Sequence, residues 1–188
     1  MGRTTLSLLW HAHGEAWMDT HVVATASKGR PIQILGCGRL RVVEQSSGFN
    51  PTIIVNCAFL TQDRRGLLGH DEYVARARRL TKDLLERTRA LRPRKVVTFS
   101  SGAAVASLKY PDDMDANPYG VLKAAEEKAV AALGSALGVD TSICRIWAIS
   151  GAHVQEPRKY ALSDFVLQGL TTGRIAVKSR HPTIRQYS

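Results

Sequence analysis

From His21 onward the chain alternates between apolar runs and amphipathic segments. The runs at residues 21–25, 32–35, 52–57, 95–99 and 141–146 are rich in β-branched residues and read as strands. Several are continuously apolar, as strands buried on both faces of a parallel sheet should be. Between the third and fourth runs, Tyr73, Ala77, Leu80, Leu84, Thr88 and Leu91 recur at helical spacing, with Pro93 just beyond the last of them. A second helical stripe runs through Tyr119, Leu122, Ala125, Ala129, Leu133 and Leu137, and Gly138 is its natural stop. Residues 160–170, followed by Gly173, form a third candidate helix. Strands and helices of these lengths in alternation predict a doubly wound α/β domain with a parallel sheet.

Composition narrows the function classes. With 188 residues, 44% hydrophobic and 22% charged, the chain is expected to form one domain with a real core. No apolar run reaches the ~18 residues of a membrane span, and residues 6–10 are too short for a secretory core, so the expected location is cytoplasmic. The three cysteines, Cys37, Cys57 and Cys144, form no C-x-x-C pair and predict neither a disulfide framework nor a zinc knuckle. Cys57 and Cys144 read as small buried hydrophobes. His11 and His13 lack a third ligand nearby, so no metal is expected.

A net charge of +10 would permit polyanion binding. The dense basic groups at Arg76, Arg78, Arg79 and Lys82, and at Arg87, Arg89, Arg92, Arg94 and Lys95, mostly fall on the polar side of a helix with no aromatic residues between them. They read as a solvated face, and no nucleic acid is expected as a partner.

The chemistry concentrates at Tyr119-Gly120-Val121-Leu122-Lys123, downstream of Ser100-Ser101, which closes the fourth apolar run. On a helix, a four-residue step puts the Tyr119 phenol and the Lys123 ammonium on one face, a turn apart. A phenol is a poor base at neutral pH, but a nearby cation stabilises its phenolate. A serine hydroxyl at the end of the preceding strand can hydrogen-bond the same substrate oxygen. The plain alternative is a helix with a buried tyrosine and a solvated lysine.

With these residues in place, the chain resembles the extended short-chain dehydrogenase/reductase superfamily, and within it the NAD-dependent epimerase/dehydratase family that acts on nucleotide sugars. The resemblance runs through Asn56-Cys57-Ala58-Phe59, the long helix after it, Val96 to Gly102, and Pro118 to Lys123 with Glu126 one turn on. It continues through Arg145 to Gly151, the helix at Phe165, Gly173 to Val177, and Arg185.

The resemblance implies a Rossmann-like domain over residues 1–188, with the start of a substrate-binding region at about 150–188. Tyr119 would exchange a proton with a sugar hydroxyl or keto oxygen while a nicotinamide exchanges a hydride with the attached carbon. Lys123 would bind the nicotinamide ribose and Ser101, or Ser100, would orient the substrate oxygen. Cys57, Ala58 and Phe59 fall on the cofactor side, and Gly102 and Arg185 on the substrate side. Epimerisation, dehydration and reduction all fit, the partner is a nucleotide-activated sugar, and a homodimer is possible in such a family.

Three positions depart from the family pattern: Gly102 stands where related epimerases often carry a catalytic Ser or Thr, and Ala77 and Ala148 stand where asparagines are frequent. At the front, nothing before His21 reads as a first strand with a glycine-rich turn to cradle a pyrophosphate. Met1 to Leu9 looks like the last glycine of such a turn running into its helix, and Gly36-Cys37-Gly38 reads as a plain turn. The expectation is a Rossmann-like fold lacking its first strand and glycine turn and cut short at both ends.

After Val23-Ala24-Thr25-Ala26 come Ser27-Lys28-Gly29-Arg30, with no carboxylate to bond an adenosine 2′-hydroxyl. Lys28 and Arg30 therefore tilt the expected cofactor from NAD toward NADP. The competing reading is a catalytically inactive or truncated relative that binds a nucleotide or partner without turnover.

Overall fold

The computed structural model describes residues 1–26, 32–33, 37, 39–40, 42–43, 48–107, 113–151, 153–154, 156–177, 179 and 181. They fall into two compact units, one drawn from residues 1–49 and 149–184 and the other centred on residues 50–148.

The second unit holds a three-stranded parallel sheet in the order β5–β6–β7, with β5 at Ile53–Asn56, β6 at Lys95–Ser101 and β7 at Asp140–Ile146. Helices α3 (Arg64–Leu68) and α4 (His70–Leu91) connect β5 to β6, and α5 (Ala103–Ala106) and α6 (Pro118–Leu137) connect β6 to β7. Parallel neighbours require such crossovers. Leu84 of α4, Val96 of β6, Val130 of α6 and Val139 form one core cluster, with Ile54, Leu85 and Leu137 packed on it. Tyr73, Val74, Ala77 and Leu122 form a second, next to Phe59, Leu60, Leu68 and Met114. Tyr73 is fully buried and donates its hydroxyl to the Leu60 carbonyl at 3.1 Å. Burial, then electrostatic repulsion from Tyr119 and Asp63, pushes its phenol up to about 12 against the pull of Arg65.

The long helices match their sequence stripes. Gly138 ends α6 in the left-handed conformation at φ 65°, where glycine carries no steric cost. At the end of α4 the same conformation falls to Arg92, at φ 46°, immediately before Pro93.

The expectation of strands buried on both faces is corrected for β5 and β6. Val96, Thr98 and Ser100 alternate inward, while Ile53 is 48% and Val55 41% exposed. The helices α4 and α6 cover the face bearing Ile54 and Val96, and period-2 alternation sends their neighbours to the other. Cys57 is exposed, because it stands one residue beyond the end of β5, and Cys144 is half-buried.

In the first unit, α1 (Gly2–His13) follows the helical reading of residues 1–9, and α2 (Glu15–His21) follows it. Fully buried Met18 packs there with Leu6, Leu9, Trp10, Trp17, Val22, Ala24 and Cys37. The run at 21–25 is shorter as a strand than its composition implies, since α2 extends through His21 and β1 is only Ala24–Thr25. It pairs in parallel with β4 (Val42–Val43). β2 (Ile32–Gln33) pairs antiparallel with β3 (Arg39–Leu40), a small separate sheet rather than a further parallel strand. Helix α7 (Ala161–Thr172) ends at Gly173 as expected and buries none of its residues. Among the described residues no helix is long and apolar enough to cross a membrane, and no group of three or more metal-ligating side chains is present.

Candidate active site

The start of α6 is fixed by its own sequence. Asn117 caps it, its side-chain oxygen accepting from the Gly120 N–H at 3.1 Å, and Pro118 occupies the first turn. Gly120 lies against the Ala103 carbonyl of α5, and Ser107 donates to the Gly120 carbonyl at 3.3 Å. This close approach places half-buried Tyr119 at the carboxyl ends of the parallel strands, with Lys123 one turn deeper.

Lys123 is buried, with 4% of its side chain exposed, which excludes the solvated lysine of the plain alternative. Its ammonium donates to the Phe99 carbonyl at 2.7 Å and to Glu126 Oε2 at 3.1 Å, and stands 3.7 Å from the centroid of the Phe59 ring. Phe59 in turn meets the Tyr119 ring edge-on at 5.8 Å between centroids. Glu126 Oε1 accepts from Asn56 Nδ2 at 3.0 Å and from Thr98 Oγ1 at 2.9 Å. Burial holds the Lys123 ammonium below the ordinary lysine range, while Glu126, and after it Glu127 and Cys57, pull it back up.

One residue along, Glu127 receives a forked pair from Arg145 of β7, with Nε 3.0 Å from Oε1 and Nη2 2.7 Å from Oε2. Burial pushes the Glu127 acid up, but hydrogen bonds and charge attraction from Arg145 outweigh it and leave it below the usual carboxylate range. Ser100 adds to that stabilisation, yet among the described residues its buried hydroxyl meets no partner in hydrogen-bond geometry.

The two serines do not share a direction. Strand alternation turns Ser100 inward toward α6, while half-buried Ser101 accepts the Ala103 N–H at 3.2 Å and closes the turn into α5. Gly102 follows under the face of Trp147, where a β-carbon would collide with the indole. Gly102, Val105, Asn117 and Trp147, with Asp113, line a cleft of about 510 Å³.

Of the residues expected from the sequence, Phe59, Tyr119 and Lys123 come into one contact chain, and Cys57 lies within the field of Lys123. Lys28, Arg30 and Arg185 lie outside the described residues. The roles of Asn56, Thr98 and the Phe99 carbonyl were not foreseen. Glu126 was visible only as a residue one turn beyond Lys123, and that i,i+3 step was the available signal for an ion pair.

The model of the NAD dependent epimerase/dehydratase family matches residues 19–179. The chain belongs to that family. Its Rossmann-like α/β fold is shared with solved structures. One is the dTDP-glucose 4,6-dehydratase DesIV from Streptomyces venezuelae, a double mutant with NAD and DAU bound. It is 18% identical with a TM-score of 0.58, over 89% of this chain and 59% of that one. Another is MoeE5 in complex with UDP-glucose and NAD, 19% identical with a TM-score of 0.56 over 88% of this chain and 56% of that one. A UDP-galactose 4-epimerase gives 21% identity and a TM-score of 0.47, over 68% and 44% of the two chains. This family member thus spans 44% to 59% of the length of these three structures. No curated protein matches it.

Proposed function

We propose that this chain is an NAD(P)-dependent oxidoreductase of the epimerase/dehydratase type, acting on a nucleotide-activated sugar. The observation that carries the reading is the contact chain Tyr119–Phe59–Lys123 in a member of this family, with the ammonium hydrogen-bonded to the end of a central parallel strand. The relatives with NAD and UDP-glucose in their structures support the same class of ligands.

The site's donor set fits the nicotinamide end of a dinucleotide. Lys123 has three N–H bonds, two committed to Phe99 and Glu126 and the third facing the Phe59 ring, so a ribose hydroxyl reaches it once the ring gives way. A bound nicotinamide would supply hydride exchange. Tyr119 then exchanges a proton with the sugar oxygen, Lys123 stabilises the phenolate that results, and Ser101 or Ser100 orients that oxygen. Cys57 and Ala58 line the cofactor side with Phe59, Gly102 and Arg185 belong to the substrate side, and residues about 150–188 begin the substrate-binding region. Lys28 and Arg30 favour NADP over NAD. The reading places the chain in the cytoplasm and allows a homodimer.

A second reading, binding without turnover, is favoured by one observation: every donor direction of Lys123 is already occupied. Fluorescence titration of the chain with NADPH and NADH separates them from a protein that takes no dinucleotide, and hydride transfer with a nucleotide sugar then separates the two. Saturable binding of NADPH supports the proposal, and turnover with it selects the first reading. Failure of both dinucleotides to bind overturns the proposal.

A further inference from the structure

We propose that Glu126 is the positioning residue of this site: fixed by Asn56 and Thr98, it holds the Lys123 ammonium charged at the carboxyl end of β6 and aimed at the place now filled by Phe59. The inference rests on the reading of Lys123 as the cation of the active site.

Glu126 is 2% exposed and gathers donors from three elements: Asn56 of β5 at 3.0 Å, Thr98 of β6 at 2.9 Å and Lys123 of α6 at 3.1 Å. Asn56 is itself tied down, its Oδ1 accepting the Ala58 N–H at 3.2 Å. Taking two ions out of water is costly, and an apolar pair of similar volume is often as stable. Packing alone therefore gives little reason for this pair, whereas a need for a dry, charged ammonium does.

Among the described residues, Glu126 is the carboxylate that both bonds and pairs with Lys123. On α6, Glu127 is committed to Arg145 of β7. Beyond β5 Cys57 pulls on Lys123 less than Glu126 or Glu127 does, and β6 contributes the neutral Thr98 and the Phe99 carbonyl. Without a carboxylate at 126, desolvation favours the neutral amine. A neutral amine could neither stabilise the Tyr119 phenolate nor keep its present aim.

The test follows the Lys123 ζ-nitrogen by NMR in ¹⁵N-lysine-labelled chain between neutral and alkaline pH, the signal being assigned by its loss in Lys123→Met. In Glu126→Gln the titration midpoint is expected to fall by about one pH unit or more, a tenfold loss of proton affinity. An unmoved midpoint overturns the proposal, since a purely structural glutamate would leave the lysine charge alone. If Glu126→Gln does not fold, the double variant Lys123→Met/Glu126→Gln is expected to fold again, because the uncompensated ammonium is gone. A double variant that stays unfolded gives Glu126 a structural role only and overturns the proposal too. The titration needs no cofactor: a midpoint that falls in a chain blind to NADPH and NADH refutes the proposed function and leaves this inference standing. Dinucleotide binding alongside an unmoved midpoint does the reverse.

Discussion

Phe59 stands between the two side chains that carry the proposed chemistry, its face 3.7 Å from the Lys123 ammonium and its ring edge-on to Tyr119. Tyr119 and Lys123 therefore form one unit through an aromatic spacer, and their roles separate by substitution. Tyr119→Phe is expected to lower turnover by roughly 10²–10⁴ with little change in dinucleotide affinity, because only the proton-transfer group is lost. Lys123→Met is expected to weaken both. Steady-state kinetics with a fluorescence titration checks the pair, and wild-type turnover in Tyr119→Phe excludes it as the acid–base group.

Cofactor choice follows from charge. If Lys28 and Arg30 meet the adenosine 2′-phosphate, replacing both with Ala weakens NADP far more than NAD, since only NADP carries that group. Dissociation constants for both dinucleotides decide it, and equal losses remove the loop from the role.

The two tight glycines of the site differ in what they touch. A β-carbon at Gly120 meets the Ala103 carbonyl, a backbone atom that cannot withdraw without parting α5 from α6, and the Asn117 side chain, whose withdrawal would cost the helix cap. At Gly102 its three nearest atoms all belong to the Trp147 indole, a side chain on a residue that is 55% exposed and has room to swing. Gly120→Ala should cost about 2 kcal/mol or more, and Gly102→Ala about 1 kcal/mol with a red-shifted tryptophan emission. Urea denaturation followed by fluorescence measures both, and equal losses would contradict the packing described.

The Glu127–Arg145 fork sets an acid limit. Glu127 titrates below its ordinary value of 4.5, so its contribution to stability is fully present above that pH and is lost as pH falls through the lower native value. Glu127→Gln should therefore be less stable than the parent at pH 7 by roughly 1–3 kcal/mol, and the gap should close in acid. Paired thermal melts from pH 7 to pH 3 test this, and a gap that widens in acid would refute the sign.

Arg92 holds a left-handed conformation, φ 46°, at the end of α4 without the steric freedom of glycine. Such a residue costs roughly 1–2 kcal/mol, partly offset in Arg92→Gly by the entropy glycine loses on folding. A net gain of about 0.5–1 kcal/mol is expected. A lower unfolding midpoint in that variant would show that the arginine repays its strain.

The sequence by itself determined the long elements and their order. The stripes from Tyr73 to Leu91 and from Leu122 to Leu137 have one period throughout, so α4 and α6 were legible almost to their ends, as were β5, β6 and β7. It also placed Tyr119 and Lys123 on one helical face, which follows from local geometry alone. The short pairings at Ala24–Thr25 and Val42–Val43 were not legible, because two residues carry no period and depend on a distant partner. Strand alternation by itself sends Ser100 and Ser101 to opposite faces, but which of the two is buried against α6 was decided by tertiary packing. The fate of Lys123 was decided by tertiary structure: a lysine on a helix is solvated by default, and only the arrival of Phe99 and Phe59 from other parts of the chain, beside its helix neighbour Glu126, makes it a buried, directed ammonium. Periodicity is a property of neighbours along the chain, while desolvation and hydrogen-bond partners belong to neighbours in space.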